Sequence, residues 1–375
     1  MDKKSGKQRS TVLKTSLYYI MIIVDKMRAY IKGLCLFLLP GLSFIASLFS
    51  DDIKFHRVLN TQAYNKSITQ DKDGILWIST EGKGLFAYNG NKLKNLKIGD
   101  GKNSVQIMTS IFADRDGLIW FFIQGQGLYC YNKETDSCKN YKSEEGNPNT
   151  LTSNNFSWQP NTIAEDREGL IWIGTADGVN SYNKRTGKFT QYKHNPNDHN
   201  SLSNNRVCAI FISKKGLIWI GTEDGLNCYD KTTDRFYCYK HDFNNLNSLS
   251  NSCIQAIAED KEGNLWIGTK NNGVDKLDKR TSKFTNYKHN PNDKNSLSHN
   301  AINHLMVDRH NNLWICNDGN VGLDLYNIKT DTFKHYSYDP DNPNSISSNN
   351  RLCTLEDISG NIWLIESSGG LNKCI

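Results

Sequence analysis

Proline is scarce in this sequence, with seven residues among 375. Six of the seven lie between the segments that repeat along the chain, where proline removes no hydrogen bond from a paired strand. These six are Pro148, Pro160, Pro196, Pro291, Pro340 and Pro343. The repeating segments also lack the helical periodicity of apolar residues. Both absences favour a fold that is made of paired β-strands.

Excess charge is missing from most of the chain. The formal net charge is +6, but residues 1–50 hold eight of the 45 basic residues and two of the 39 acidic ones, which leaves 37 of each sign. A protein that binds nucleic acid along its surface needs a basic face. The neutral balance therefore argues against a nucleic-acid partner, although it leaves room for a local patch.

The sequence also lacks the spacings of common catalytic and metal sites. Its nine histidines and ten cysteines form no His-x-x-x-His or Cys-x-x-Cys pair, which metal sites often use. It has no Gly-x-Ser-x-Gly nucleophile elbow and no phosphate-binding loop. We therefore expect no metal, no cofactor, no catalytic residue and no enzymatic activity. A glycan hydrolase or lyase whose residues converge from several repeats is the less favoured alternative.

The cysteines are expected to be free thiols. Cys130 and Cys138 lie in one predicted hairpin, and Cys228 and Cys238 lie in another. The strand register expected for these hairpins points the two cysteines of each pair to opposite faces of the sheet. We therefore predict that neither pair forms a disulfide.

What the sequence does contain is a long repeat. Segments built around D-x-x-G-x-[IL]-W, with small departures, recur seven times, and their tryptophans are 43 to 52 residues apart. The seven marker tryptophans are Trp77, Trp120, Trp172, Trp219, Trp266, Trp314 and Trp363. A period of about 40–50 residues with strand and turn signals is typical of propeller blades. We therefore predict an all-β fold, a single seven-bladed β-propeller whose blades are four-stranded and antiparallel, with strands a to d in each blade.

The last repeat lacks its fourth strand. After Trp363 the sequence supplies strand b and strand c, residues 370–374, and then ends. Residues 53–59, which precede the first repeat, form a predicted strand without a partner. We predict that this N-terminal strand completes the last blade and closes the ring without a free edge.

The first 50 residues are interpreted as a targeting segment. Residues 33–49 form an uncharged apolar run that is preceded by three basic residues and followed by two aspartates. This length suits a signal-peptide core or a short membrane span. Initiation at Met27 would favour a signal peptide, and initiation at Met1 an uncleaved anchor. We expect 1–50 to direct export and 51–375 to form the propeller, either periplasmic or anchored in a bacterial inner membrane and facing the periplasm.

The repeat resembles a known family. WIGT-x-x-G-[LV], followed by Y-[ND]-x-x-T-x-x-F and an N-x-x-SLSNN loop, is similar to the two-component regulator propeller repeat over nearly all of residues 60–375. In that family the propellers form the periplasmic sensor region of hybrid two-component systems in polysaccharide-degrading bacteria. They usually occur as two successive rings, followed by a β-sandwich, a membrane helix and a kinase. The resemblance implies sensing of oligosaccharides or glycosaminoglycan fragments.

This sequence departs from that plan because it contains one ring and no kinase or output domain. The resemblance therefore implies a non-catalytic, periplasmic sensor propeller that binds an oligosaccharide or glycan fragment. The alternatives are a protein-interaction ring and a fragment of a split sensor. A second propeller or a membrane sensor kinase would then be the partner.

Candidate binding residues lie where the copies of the repeat differ. The loop that enters the third repeat is three residues longer than its counterpart in the fourth, and it contains Phe156 and Trp158. An aromatic ring at the mouth of the channel would stack on a sugar, whereas the alternative is that Trp158 fills the gap between blades 2 and 3. The predicted surface also includes residues of the b–c turns and loop ends, namely Asp177, Arg206, Asp224, Asn271 and Arg351. The long d–a loops are rich in Asn, Asp, Ser and His, which suit hydrogen bonds to sugar hydroxyls, with capping of the loops themselves as the alternative role.

Overall fold

The structure is a computed structural model that describes residues 53–96, 98, 107–350 and 352–375. The targeting segment predicted for residues 1–50 lies outside the described residues. In the described part of the chain, no helix has the length and apolar character needed to cross a membrane.

The described residues form a seven-bladed propeller, which confirms the predicted fold. Their 28 strands make seven antiparallel sheets of four strands each, and the innermost strands of neighbouring blades contact one another around the channel. Blades 1 to 3 contain β2 (Tyr64–Gln70), β3 (Leu76–Glu81), β4 (Leu85–Tyr88), β5 (Leu93–Leu96); β6 (Met108–Ala113), β7 (Ile119–Ile123), β8 (Gly127–Asn132), β9 (Ser137–Tyr141); β10 (Ile163–Glu165), β11 (Leu170–Thr175), β12 (Gly178–Asn183) and β13 (Lys188–Tyr192). Blades 4 and 5 contain β14 (Val207–Ile212), β15 (Ile218–Thr222), β16 (Gly225–Asp230), β17 (Arg235–Tyr239); β18 (Ile254–Glu259), β19 (Leu265–Thr269), β20 (Val274–Leu277) and β21 (Phe284–Tyr287). Blade 6 contains β22 (Ile302–Val307), β23 (Asn312–Asn317), β24 (Leu323–Asn327) and β25 (Thr332–Tyr336), and blade 7 contains β26 (Leu352–Glu356), β27 (Ile362–Glu366), β28 (Gly370–Cys374) and β1 (Phe55–Asn60).

The apolar core lies between the blades. Trp120 and Phe122 of blade 2 pack in one buried cluster with Ile171 of blade 3. Strand b is covered by a neighbouring blade on each side, so every residue of β15 and of β19 is buried. This explains why the second strand of each repeat is apolar on both faces instead of alternating.

The N-terminal strand closes the ring as predicted. β1 pairs antiparallel with β28, in a register that places Phe55 opposite Cys374 and Asn60 opposite Gly370. Phe55 is 1% exposed, and its ring meets Tyr336 of blade 6 edge-on. The first and last described strands of the ring therefore belong to the same blade.

The marker aspartate and tryptophan of each repeat are joined directly. In blade 3, Asp166 Oδ1 accepts the backbone N–H groups of Glu168 and Leu170, and Asp166 Oδ2 accepts the indole N–H of Trp172 at 2.7 Å. Six blades have this aspartate–tryptophan bond, at 2.7 to 3.1 Å. The aspartate therefore fixes the a–b turn and also satisfies a buried indole, which goes beyond the turn role that the sequence predicts.

The glycine of the marker turn provides a left-handed residue. Gly169 has φ +85°, a region that is costly for most L-residues. In blade 6 this place is taken by Asn311 with φ +68°. Asparagine tolerates this conformation best among the ordinary residues, so the departure in the sixth repeat preserves the turn.

A further donor to each marker aspartate comes from one of two sources. In blades 1 to 3 it is a lysine from the c–d turn of the next blade, and in blades 5 to 7 it is an asparagine four residues after the aspartate. The lysine pairs are Lys133–Asp71, Lys184–Asp114 and Lys231–Asp166, at 2.6, 2.9 and 2.9 Å. The asparagine pairs are Asn264–Asp260, Asn312–Asp308 and Asn361–Asp357, at 2.9, 3.1 and 2.7 Å. Only blade 4, where Ser213 replaces the aspartate, follows neither rule among the described blades.

The cysteine prediction is confirmed for the described residues. Cys130 lies opposite Lys139, and Cys138 lies opposite Tyr131, so the two thiols are offset by one residue and point to opposite faces. Cys228 lies opposite Tyr237 and Cys238 lies opposite Asn227, so these two thiols are also offset by one residue. All nine described cysteines are free.

Candidate ligand-binding site at the channel mouth

The b–c turns and the d–a loops lie on one face of the ring, which we call the loop face. In blade 3 the N–H of Gly178, in the b–c turn, donates to the carbonyl of Asn205, at the end of the loop that enters blade 4 (2.7 Å). Equivalent bonds join Gly225 to Ser252 and Gly273 to Asn300. The predicted candidate residues on these turns and loops therefore lie on the same face.

The lengthened loop before blade 3 runs across the channel. Residues 156–160, which we call the channel plug, do not join strand a of blade 3, and β10 is only three residues long where β14 has six. The carbonyl of Pro160 accepts hydrogen bonds from Ser67 of blade 1 at 3.2 Å and from Ser110 of blade 2 at 2.8 Å. The extra residues therefore reach two blades that precede their own.

The channel plug also contacts the blades that follow. Ser157 Oγ donates to the carbonyl of Val207 in blade 4 at 2.5 Å. The side-chain amide of Gln159 donates to that of Gln255 in blade 5. Hydrogen bonds to the innermost strands of blades 1, 2, 4 and 5 place the plug in the centre of the ring.

Phe156 belongs to the core and not to the open surface for which the sequence predicted it. It is 3% exposed, and its ring stacks on Phe122 of blade 2 with 4.7 Å between centroids. Burial of an aromatic ring stabilises the fold by about 2–3 kcal/mol, which explains its inward orientation. Phe156 therefore takes the gap-filling role that was the alternative for Trp158.

Trp158 is accessible. It is 47% exposed, and the ammonium of Lys66 lies 5.6 Å from the centre of its ring. Lys66 also forms an ion pair with Glu81 at 2.8 Å. Because Lys66 is the third residue of β2, and β2 begins at the loop face with the exposed Tyr64, the Trp158 ring lies at the mouth of the channel on that face.

Sequence reasoning missed Tyr64, Lys66 and Glu81 because they lie in regular strands of the first repeat. The signal that could have found Lys66 is its position in the repeat. The ladder irregularity that places Lys66 between Asn65 and Ser67 also occurs in blades 4 to 6. The equivalent residues are Cys208, Gln255 and Asn303, and none of these is charged.

The other described candidates lie on the loop face, where three of them form local ion pairs. Asp177 pairs with Lys193, and Asp224 with Lys240, each at 2.6 Å. Arg206 pairs with Glu223 at 3.1 Å, Asn271 is exposed, and Arg351 lies outside the described residues. No hydrogen bond or ion pair in the described residues joins Asp177, Arg206, Asp224 or Asn271 to the channel plug.

The repeated histidines are part of the loop scaffold. In the loop that enters blade 4, His194 Nδ1 lies 2.7 Å from the carbonyl of Leu202. His241 and His289 form the same contact with Leu249 and Leu297. These histidines therefore close their own loops.

Three carboxylates on the face opposite the loop face are close enough to bind a cation, but a lysine already lies among them. Asp114, Asp116 and Glu165 surround the ammonium of Lys184 at 2.9, 2.5 and 3.0 Å. Hydrogen bonds and attraction from these carboxylates outweigh the effect of burial and hold the pKa of Lys184 above its usual value. This cluster is therefore an ion-paired junction between blades 2 and 3.

His304 is an isolated buried histidine in β22. It is 5% exposed, and its Nδ1 lies 3.3 Å from Thr354 Oγ1 of blade 7. Burial lowers the pKa of His304 to about 4. The imidazole is therefore neutral near pH 7 and links blade 6 to blade 7.

The low pKa of His304 predicts acid sensitivity. Between the unfolded pKa near 6.5 and the folded pKa near 4, the unfolded chain binds more protons, so stability falls as the pH drops through this window. The expected loss from this group is about 3 kcal/mol. Urea unfolding at pH 7 and at pH 4.5 should show a smaller difference for His304→Gln than for the parent. His310→Gln, at an exposed residue, should retain the parental difference, and an unchanged difference in His304→Gln would refute this assignment.

Comparison with a family model identifies the repeats. The model described as two component regulator propeller matches residues 58–82, 151–177, 201–224 and 248–271. These matches confirm the resemblance that the motifs indicate. No curated protein matches the chain.

Solved structures share the fold. The extracellular domain described for the hybrid two component system BT3049 of B. thetaiotaomicron is 25% identical with a TM-score of 0.68, and the match covers 86% of this chain and 41% of that one. The extracellular domain described for the one component system BT4673 of the same organism is 22% identical with a TM-score of 0.66, over 85% of this chain and 39% of that one. The chain therefore spans about two fifths of the length of these domains.

A more distant likeness concerns the fold alone. Virginiamycin B lyase from Staphylococcus aureus is 14% identical with a TM-score of 0.63, and the match covers 86% of this chain and 98% of that one. At this identity the likeness carries no argument about chemistry.

Proposed function

We propose, from the premise that this chain belongs to the two-component regulator propeller family, that it is a non-catalytic sensor propeller that binds an oligosaccharide or glycan fragment at its channel mouth. The observation that carries this proposal is the accessible ring of Trp158, held in the centre of the loop face by the channel plug. Trp158 has no counterpart in the other repeats, so the repeated fold does not require its indole.

The chemistry of this site suits a sugar. A pyranose ring offers an apolar face that packs on an indole, and hydroxyl groups around its edge. Beside Trp158, the ammonium of Lys66 can donate a hydrogen bond to a sugar hydroxyl and the carboxylate of Glu81 can accept one. Because the plug is fixed by bonds to several blades, little ordering of the site is needed when the ligand binds.

The outer part of the loop face supplies further candidate contacts. Asp177, Asp224, Arg206 and Asn271 are exposed or half-exposed, and the charged ones are paired with neighbours that are equally accessible. Such pairs exchange readily with solvent and contribute little to stability. We assign these residues to the periphery of the proposed site, where a longer glycan would extend from Trp158.

We further propose that the ring is exported and acts in the periplasm, free or anchored to the inner membrane. The solved relatives described as extracellular domains of signalling systems support this location. A second propeller or a membrane sensor kinase is the proposed protein partner, since the chain spans only part of those domains.

The proposed site predicts a large effect of one substitution. Removal of the ring in Trp158→Ala should weaken oligosaccharide binding at least about tenfold, because stacking and apolar burial together exceed about 1.4 kcal/mol. A panel of plant-derived oligosaccharides and glycosaminoglycan fragments is first screened by thermal shift, and the affinity of each stabilising compound is measured by calorimetry. Tyr237→Ala is the matched control, because Tyr237 is 52% exposed on the outer strand β17.

The outcomes of this test are distinct. Weak binding by Trp158→Ala and parental binding by Tyr237→Ala support the site. Equal affinity of Trp158→Ala and the parent would show that the oligosaccharide does not bind at the Trp158 ring. A panel in which no compound raises the melting temperature would overturn the assignment of a glycan ligand.

A further inference from the structure

The junction between blades 4 and 5 is the place where the ion pairing of the repeat fails. It lies on the turn face, which carries the a–b and c–d turns and is opposite the loop face. In blades 1 to 3 the marker aspartate binds a lysine of the next blade. In blade 4 Ser213 replaces this aspartate, but the lysine of the next blade, Lys279, is retained.

Ser213 replaces only one of the two carboxylate oxygens of an aspartate. Its Oγ accepts the N–H of Leu217 at 2.9 Å, as Oδ1 of the aspartate does in the other blades. No atom of Ser213 takes the place of Oδ2. Consequently the indole N–H of Trp219 has no acceptor among the described residues, whereas the other six marker indoles each donate to a carboxylate.

One acidic residue of the junction is also replaced by a basic one. The place of Asp73, Asp116 and Glu168, which bind the lysine in blades 1 to 3, is taken in blade 4 by Lys215. The ammonium of Lys215 beside Lys279 lowers the pKa of Lys279. One nearby carboxylate, Glu259, already accepts the backbone N–H of Lys214 at 2.6 Å.

A cavity of about 160 Å³ occupies this junction. Ser213, Trp219 and the two lysines line it together with the apolar side chains of Tyr239 and Leu277. The carboxylates of Glu259 and Asp278 also line it, but each already accepts backbone N–H groups, from Lys214 and from Arg280 and Thr281 respectively. The cavity therefore combines an indole N–H that has no acceptor among the described residues and two ammonium groups with apolar surface. That combination matches a small anion with an apolar body.

We propose that this cavity binds the carboxylate of a small ligand that has an aromatic or aliphatic body. One carboxylate oxygen takes the place of the missing aspartate Oδ2 and accepts hydrogen bonds from the indole of Trp219 and the ammonium of Lys279. The body of the ligand packs against Tyr239 and Leu277. The site is separate from the channel mouth, because it lies on the opposite face of the ring and uses none of the same residues.

The direct test uses the indole signal of Trp219 in a ¹H–¹⁵N spectrum, assigned with Trp219→Phe. Sodium benzoate at millimolar concentration should shift this signal toward those of the six carboxylate-bonded marker indoles, and sodium chloride at equal ionic strength should leave it in place. A shift with sodium sulfate and none with benzoate would overturn the assignment of a carboxylate ligand. So would a benzoate spectrum in which the Trp219 signal stays fixed.

Two variants separate binding from a general salt effect. Ser213→Asp restores the residue of the other blades, so its Trp219 signal should already lie in the shifted position and should no longer respond to benzoate. Lys279→Met should respond at least tenfold more weakly than the parent. A parental benzoate response in Ser213→Asp would contradict the proposal, because the proposed ligand and the new carboxylate would occupy the same place.

Discussion

Deletion of residues 51–60 is expected to unfold the entire ring, not only its last blade. The deletion removes β1, exposes the edge of β28 and eliminates the buried ring of Phe55. Loss of this burial and of the strand hydrogen bonds should cost more than about 5 kcal/mol, which is comparable with the whole stability of many domains. Circular dichroism melting should show loss of the single cooperative transition of the parent, and the deleted protein should aggregate through its free edge.

Point variants of the same strand provide the control for this deletion. Phe55→Ala should destabilise the ring by about 3–5 kcal/mol, because it leaves a cavity between blades 6 and 7. His56→Ala, at the exposed neighbouring residue, should change the free energy of unfolding by less than about 0.5 kcal/mol. A deleted protein that melts at the parental temperature would contradict the closure of the ring by β1.

Replacement of a marker aspartate should have the second-largest effect. Asp166→Ser would leave the indole N–H of Trp172 without its acceptor. It would also remove the fully buried one of the two carboxylates that bind the ammonium of Lys231. Hydrogen bonds from Trp172 and Lys231 outweigh burial and hold the pKa of Asp166 below its usual value, so the carboxylate is charged at neutral pH. Removal of one partner from such a pair should destabilise the protein by about 3 kcal/mol in urea unfolding.

The control for Asp166→Ser is an ion pair of the same blade that is open to solvent. Asp177→Ser also removes an aspartate that binds a lysine, Lys193, but both side chains of this pair are more than 40% exposed. Its expected cost is below about 1 kcal/mol. If the two variants were equally stable, the marker aspartates would have no special structural role and the account of the repeat would be wrong.

The sequence was sufficient to predict the parts of this fold that repeat. The spacing of the marker tryptophans, the turn residues around Gly169 and the missing fourth strand after Trp363 each have one structural solution in a closed ring. The register of the hairpins followed from the same periodicity, and it correctly separated Cys130 from Cys138. In each case the same sequence pattern occurs in many repeats, and all of its copies adopt the same local structure.

The course of the channel plug could not be predicted in this way. Three extra residues can bulge outward from a loop or turn inward, and the choice depends on partners in other blades, such as Ser110 and Gln255. Such partners are distant in the sequence and have no common spacing. For the same reason the sequence assigned Phe156 and Trp158 to one surface, although one is 3% exposed and the other 47%.

The sequence contains part of the evidence for the hydrogen bond between the marker aspartate and tryptophan. The six-residue interval from Asp166 to Trp172 is the same in the other repeats that have the aspartate, which is consistent with a direct contact. The interval alone does not reveal that the lysine of the next blade shares this carboxylate. That relation becomes visible only when Lys231 and Asp166 are placed on adjacent blades.

We propose that the regular copies of the repeat form the scaffold and that ligands bind where the copies differ. The eight indole N–H signals of the tryptophans test this claim in a single ¹H–¹⁵N titration. A pool of neutral xylo-, manno- and arabino-oligosaccharides should shift the signal of Trp158, benzoate should shift that of Trp219, and the six indoles bonded to aspartates should remain in place. Movement of those six signals, with Trp158 and Trp219 unchanged, would contradict the account.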